Sequence, residues 1–163
     1  MNFLTMREWK MVKYLSSLLI GLCLLLASTA CFAAGASTTY SIRFLGFGIF
    51  EHTITWVADD ATAAVNSYTT DGITSAVFMG FTVPSAVTAP TALYDIVLTD
   101  ENGIDIFGGE LMDRSATVAQ QALPRIGNGF GTRFTNSKLT FTLTNNAVNS
   151  ARGKFIFYSI LIK

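Results

Sequence analysis

Polar and hydrophobic residues alternate along much of the chain, with the period of two that is typical of β-strands with one buried face. Residues 138–144 set Leu139, Phe141 and Leu143 against threonines, and a similar alternation begins near Thr39. Further strands are predicted for residues 53–57, 73–83 and 154–162. These patterns indicate a protein built mainly from β-strands.

The strand that begins near Thr39 contains the run L-G-F-G-I-F, in which Gly46 and Gly48 interrupt the alternation. Glycine inside a strand pattern often marks a bulge or a bend. We therefore expect one long, bent strand that continues to Val57.

A β-hairpin is predicted between Pro90 and Arg114, because Asn102-Gly103 is the strongest short-range signal for a two-residue type I′ turn. Both central residues of such a turn need a positive φ, which Asn tolerates and Gly adopts freely. Counting outward from this turn pairs Glu101 with Ile104, Asp100 with Asp105, Thr99 with Ile106 and Leu98 with Phe107.

About seven or eight strands with turn signals at short intervals favour an all-β fold, either an antiparallel two-sheet sandwich or a jelly roll. A barrel is the alternative. One short helix is expected from Ser115 to Ala122, with Ser115 as its N-cap and Pro124 just beyond its end.

The N-terminal segment has the three parts of an export signal. Basic residues come first, residues 18–27 form an apolar stretch, and C-F-A before Ala34 fits a cleavage site. The sequence therefore predicts a signal peptide or a hydrophobic, membrane-anchoring helix over residues 1–33 and a β-domain over residues 34–163.

Two other interpretations of this segment stay open. Residues 15–34 are long enough to span a bilayer without cleavage, which would tether the domain to the membrane. Cys31 follows S-T-A, as in lipoproteins, although Ser28 stands where an aliphatic residue is expected. Translation starts at Met1, Met6 or Met11. Every alternative places the β-domain beyond the cytoplasmic membrane, as a periplasmic, secreted or membrane-anchored protein.

The net charge and the positions of the cysteines argue against nucleic-acid binding and against cysteine-based chemistry in the β-domain. The formal net charge is zero, so nucleic acid is not an expected partner. Cys23 and Cys31 both lie in the N-terminal segment, so the β-domain has no thiol for a disulfide, a metal site or a nucleophile. No cofactor is expected.

The chain contains one histidine, His52, which any serine triad or histidine metal site would have to use. There is no G-x-S-x-G motif, and the glycine-rich loop R-I-G-N-G-F-G-T-R lacks the Lys-Ser/Thr ending of a phosphate-binding loop. We interpret His52 as a surface or half-buried strand residue and expect that the protein is not an enzyme.

The predicted pairing of Asp100 with Asp105 brings two like charges together, which is unfavourable unless solvent screens them or a cation lies between them. With Asn102 nearby, oxygen ligands for Ca²⁺ are available, although D-E-N-G-I-D does not match an EF-hand loop. Asp100, Asn102 and Asp105 are therefore the candidate metal ligands. Ordinary solvated turn residues are the alternative.

Phe130 and Phe134 lie in the glycine-rich loop between residues 125 and 137. Exposed aromatic side chains of this kind are typical of contact surfaces between proteins. We predict a partner-contact patch at these two residues.

The stretch P-T-A-L-Y-D-I-V-L-T-D-E-N-G-I-D-I-F-G-G, followed by Arg114, resembles small β-rich proteins encoded among the structural genes of tailed phages and prophages. W-V-A-D-D upstream and the connection from Asn146 to Ser150 also fit, so the resemblance spans roughly residues 56–158. It implies a virion-associated or accessory structural role without known catalysis, and no functional residues carry over. The export signal departs from the pattern of virion proteins assembled in the cytoplasm.

Together these observations predict an exported, non-enzymatic structural or accessory protein that is phage-derived, virion-associated and acts through surface contacts. Its expected partners are other protein subunits, either copies of itself or virion components, and the membrane if the N-terminal segment is not cleaved. The alternative is a secreted carbohydrate- or calcium-binding module. An exported hydrolase is disfavoured because the motifs for it are missing.

Overall fold

A computed structural model of the chain describes residues 34–162. The predicted export segment, with Cys23, Cys31 and the predicted N-terminal helix, lies outside the described residues. The strands are β1 (Ser37–Gly46), β2 (Ile49–Val57), β3 (Tyr68–Thr69), β4 (Ile73–Pro84), β5 (Asp95–Thr99), β6 (Gln120–Ala122), β7 (Arg125–Ile126), β8 (Gly129–Phe130), β9 (Arg133–Ser137), β10 (Thr140–Thr144) and β11 (Arg152–Ile160).

All strand pairs are antiparallel. The first sheet is curled and has the order β1-β2-β11-β4, with β6 and β9 both paired to β4. The second sheet has the order β3-β10-β5, and β7 and β8 form a separate two-stranded ribbon. The prediction of an all-β, antiparallel fold is confirmed. Seven strands have five or more residues. One of them, β9, lies in the stretch predicted as a glycine-rich loop, so that part of the loop prediction is wrong. The other four strands have two or three residues, too few to show a period.

The hydrophobic core joins residues of both main sheets. Ile54 and Phe155 from the first sheet and Leu98 and Phe141 from the second are fully buried. The rings of Phe141 and Phe155 stack with 6.2 Å between their centroids. The inward-facing residues of the alternating patterns therefore form the core, as the period of two requires.

Gly153 shows how closely this core is packed. A Cβ atom at this position would lie 2.5 Å from Cζ2 of the buried Trp56. Because that distance is well inside van der Waals contact, the indole ring can lie across β11 only where the strand has no side chain.

The predicted single long strand from Thr39 to Val57 is wrong. The chain reverses at Phe47 and Gly48, so that β1 and β2 form an antiparallel hairpin in which Gly46 lies opposite Ile49. The expected bulge is present, but it lies within β1, between Phe44 and Gly46.

The hairpin predicted around Asn102-Gly103 forms only in part. The chain directly after Gly103 forms no strand and meets β5 through an isolated bridge, and the predicted register is wrong by one residue. Asp100 lies opposite Ile104, Thr99 bridges to Asp105, and the amide of Ile106 donates to the carbonyl of Leu98. None of the pairs Glu101 with Ile104, Asp100 with Asp105, Thr99 with Ile106 or Leu98 with Phe107 forms.

The reason is a three-residue loop in place of the two-residue turn. The amide of Gly103 donates to the carbonyl of Asp100, and only Gly103 has a positive φ, of 77°. A type I turn followed by a left-handed glycine is the usual three-residue hairpin loop. The Asp100 carboxylate stabilises it by accepting from the amides of Asn102 and Ile104.

The helix predicted from Ser115 to Ala122 does not form. Ser115 does accept hydrogen bonds from the amides of Thr117 and Val118, as an N-cap would. The chain then extends instead of coiling, because Gln120–Ala122 pairs with β4 as β6. Pairing with the sheet overrides the local capping signal. No helix long and apolar enough to cross a membrane occurs among residues 34–162.

Candidate functional site

The turn between β1 and β2 exposes an aromatic side chain in an unfavourable backbone conformation. Phe47 and Gly48 have φ values of 52° and 76°, so both central residues are in the left-handed region, as a type I′ turn requires. The Phe47 side chain is 98% exposed. A bulky residue with positive φ is a rare outlier in proteins, and such strain concentrates at functional sites.

Other exposed apolar side chains adjoin Phe47. Phe44 is 62% exposed and its ring contacts that of Phe50, with 5.2 Å between centroids. Leu161 is also exposed, and its amide donates to the carbonyl of Gly48. Together with Ile42, which is exposed on β1, Phe44, Phe47 and Leu161 define a surface that we name the apolar end.

A cavity of about 310 Å³ lies beside this surface. Ile42, Phe50, Ile73 and Leu161 are among its apolar lining residues. His52, Ser75 and Ser159 also line it, and all three are buried. The cavity therefore continues the apolar end inward toward a small group of uncharged polar side chains.

His52 joins three strands through hydrogen bonds. Its Nδ1 lies 2.6 Å from the Tyr40 hydroxyl on β1, and its Nε2 lies 2.8 Å from the Ser159 hydroxyl on β11. Its ring stacks on Phe157 with 4.4 Å between centroids. The interpretation of His52 as a surface or half-buried residue is wrong, because it is fully buried on the core face of β2.

Burial determines whether the side chains of His52 and Tyr40 carry a charge. It lowers the pKa of His52 to about 4 and raises the pKa of Tyr40 to about 12. Both side chains are therefore neutral near pH 7. Either neutral tautomer of the imidazole satisfies both hydrogen bonds, since each hydroxyl can donate or accept.

The order Ser159, His52, Tyr40 parallels the nucleophile, base and orienting residue of a hydrolase, but its chemistry differs. A neutral phenol does not stabilise an imidazolium as a carboxylate would, and an imidazole with a pKa of about 4 is a poor general base. Ser159 is fully buried. The geometry thus fits a neutral structural link between β1, β2 and β11.

The candidate calcium ligands do not face one another as the predicted register required. Asp100 accepts from amides of its own loop, whereas Asp105 accepts from the amides of Phe107 and Gly109. Asn102 lies exposed in the loop. Among residues 34–162, no group of three or more histidine, cysteine or acidic residues is arranged to hold a metal ion.

Phe130 and Phe134, the predicted contact residues, lie on β8 and β9. Their side chains are 63% and 57% exposed. They are accessible to a partner, and the contact patch stays a prediction.

Sequence reasoning missed Phe47, Tyr40 and Ser159. For Phe47 a signal existed, because F-G flanked by apolar residues can form a two-residue turn, whereas Tyr40 and Ser159 lie 12 and 107 positions from His52.

The chain was compared with known proteins. No protein-family model, no curated protein and no solved structure gives a significant match.

Proposed function

We propose that this protein is an exported, non-enzymatic structural or accessory protein that binds other protein subunits through its apolar end. The observation that carries the proposal is Phe47, an almost fully exposed phenylalanine held at a φ of 52°. Asparagine or glycine would suit this turn position better. A phenylalanine there costs stability of the free domain, and a contact that buries its ring would offset that cost.

The magnitudes favour such a contact. Strain at a left-handed non-glycine residue costs about 1–3 kcal/mol. Full burial of a phenylalanine side chain contributes about 1.5–3 kcal/mol. With Phe44 and Leu161 exposed alongside, an interface at the apolar end would recover more free energy than the turn costs.

A phage-derived, virion-associated role is the form of this function that we propose. It is supported by the resemblance of residues 56–158 to phage-encoded β-rich proteins. The predicted export signal of residues 1–33 departs from the pattern of virion proteins assembled in the cytoplasm, so we propose that the domain has been recruited to an exported product. A two-sheet sandwich is the architecture we propose for it. The support for that is the core shared by the two main sheets.

The test compares two variants of the full chain in the organism that encodes it. Phe47→Asp places a charge at the apolar end, and Phe130→Asp places the same charge at the rival surface, the contact patch predicted at Phe130 and Phe134. Particles released after prophage induction are purified and searched for the protein by mass spectrometry. We expect wild type and Phe130→Asp in the particles and Phe47→Asp only in the soluble exported fraction. Wild type that is absent from particles, or retention of Phe47→Asp in them, would overturn the proposal.

A further inference from the structure

β1 is an edge strand of the first sheet, and only its first half is covered. Thr38 donates a hydrogen bond to the carbonyl of Asn66, and the Asn66 side chain donates to the carbonyl of Ala36. The ring of Tyr40 stacks on that of Tyr68. From Ser41 onward the strand is exposed, and within residues 34–162 no strand pairs with its outer edge.

The exposed half of this edge lacks the usual protection against pairing. Proteins guard edge strands with proline, with free charges or with bulges. Residues 41–44 contain no proline, and the bulge comes only after Phe44. The single charge belongs to Arg43, whose guanidinium binds both carboxylate oxygens of Glu51 at 3.1 and 3.0 Å. Its charge is thus compensated within the same subunit.

We propose that a second copy of this chain pairs antiparallel with the free half of β1, with the two-fold axis at Arg43. Opposite residues of an antiparallel pair point to the same face. A two-fold axis must therefore pass through a residue position, and Arg43 places Ile42 of each copy opposite Phe44 of the other. These two side chains lie on the face that carries the cavity.

The chemistry of this register is self-complementary. Two apolar cross-strand pairs of an aromatic and a β-branched residue form on one face, a favourable combination. On the other face, the two Arg43 side chains lie opposite each other, and the Glu51 carboxylate of each copy pairs with its own Arg43 and offsets the repulsion between these like charges. An axis at Ile42 would bring Phe44 against Tyr40, in the covered half of β1. An axis at Phe44 would require pairing through the bulge and Gly46.

This inference rests on the proposed function, since it names a second copy as a subunit that the apolar end contacts. Ile42 and Phe44 belong to that surface, so pairing of β1 would cover part of it. Phe47 would remain at the margin of the pair, open to a further subunit.

The test uses disulfide formation in the full chain carrying Cys23→Ser and Cys31→Ser, so that each introduced cysteine is the only thiol. In an antiparallel pair, opposite Cα atoms lie about 4.5–5.5 Å apart, within the range of a disulfide. Arg43→Cys should give a covalent dimer under mild oxidation. Lys154→Cys, exposed in the middle of the same sheet, is the control and should stay monomeric. A mixture of Ile42→Cys and Phe44→Cys should cross-link, whereas each alone should not.

Sedimentation velocity of the wild type should show a dimer that the variant Phe44→Asp loses. If Arg43→Cys cross-links no faster than Lys154→Cys, or if Ile42→Cys dimerises by itself, the inference is overturned. In that case, loss of Phe47→Asp from particles would still uphold the proposed function, with a different subunit as the partner.

Discussion

At the scale of single residues, the proposed function rests mainly on Phe47. Its backbone conformation suits glycine or asparagine, and its apolar ring is almost fully exposed to solvent in the free domain. Local preference and residue type disagree here, which in natural proteins is most often seen where function opposes stability. The strain at Phe47 can be measured as the change in protein stability when a residue that suits this conformation replaces the phenylalanine.

Phe47→Asn should stabilise the free protein by about 1 kcal/mol, because asparagine tolerates the left-handed region that phenylalanine resists. Urea denaturation of wild type and variant gives the difference. Phe44→Asn is the matched control, since Phe44 is also exposed but lies in the strand, and no gain is expected from it. Equal or lower stability of Phe47→Asn would show that the turn holds no strain.

The buried His52 should make stability depend on pH. Its pKa falls from 6.5 in the unfolded chain to about 4 in the fold, so between these values the unfolded state binds more protons. The contribution is fully present above pH 6.5 and is lost as pH falls toward 4, up to about 3 kcal/mol at 1.36 kcal/mol per pKa unit.

This dependence can be assigned because His52 is the only histidine in the chain. Urea denaturation of wild type at pH 7.0, 6.0 and 5.0 should show falling stability. The variant His52→Gln lacks the imidazole and keeps only the carboxylates, which titrate at lower pH, so its stability should fall clearly less than that of the wild type between pH 7.0 and 5.0. An equal slope in both proteins would mean that His52 remains protonatable in the folded state.

At the scale of secondary-structure elements, two turns differ from the prediction: the turn at Asn102-Gly103 is of another type, and the turn at Phe47-Gly48 was not predicted at all. Asn102-Gly103 carries the type I′ signal but forms a three-residue loop, because Asp100 caps that loop with its carboxylate. Phe47-Gly48 lacks the asparagine or aspartate of the strong type I′ signal, and only its glycine favours the turn, but it forms the type I′ turn. At Asn102-Gly103, the hydrogen bonds of the neighbouring Asp100 therefore outweigh the turn preference of the two residues. At Phe47-Gly48, the pairing of the long strands β1 and β2 outweighs it.

Gly103→Val should destabilise the protein by about 1–3 kcal/mol, because Gly103 keeps a φ of 77° in the three-residue loop. A Cβ atom there would meet no other atom within 4 Å, so the cost is backbone strain alone. Gly103→Asn has a side chain that tolerates this conformation and should cost clearly less. Thermal melts of both variants measure the difference, and equal costs would show that strain at a positive φ does not set the effect.

At the scale of the whole molecule, alternation predicted the long strands because it reports which face is buried. The order of the strands and the apolar end depend on pairings between distant segments, such as β2 with β11, which no local pattern specifies. The short strands β3 and β6 likewise exist only through their partners.

Two of the residues that carry the resemblance to phage-encoded proteins, Arg114 and Asp95, are buried and stabilise this fold through hydrogen bonds. Arg114 is buried and donates to Thr82, to the carbonyl of Glu110 and to the carbonyl of Gln121. Asp95 is buried and accepts from the amide of Asp113 and from the side chain of Asn145. Such residues would maintain the fold in any protein that has it, so the motif indicates architecture more directly than it indicates activity.

If the protein binds other subunits through its apolar end, as we propose, this surface is covered in assembled particles. Amide hydrogen exchange compares the free protein with the same protein in purified particles, peptide by peptide. Our account predicts that peptides covering residues 41–50 exchange more slowly in the particles, while those covering residues 127–134 are unchanged. Protection of residues 127–134 with unchanged exchange at residues 41–50 would contradict it and move the contact to Phe130 and Phe134.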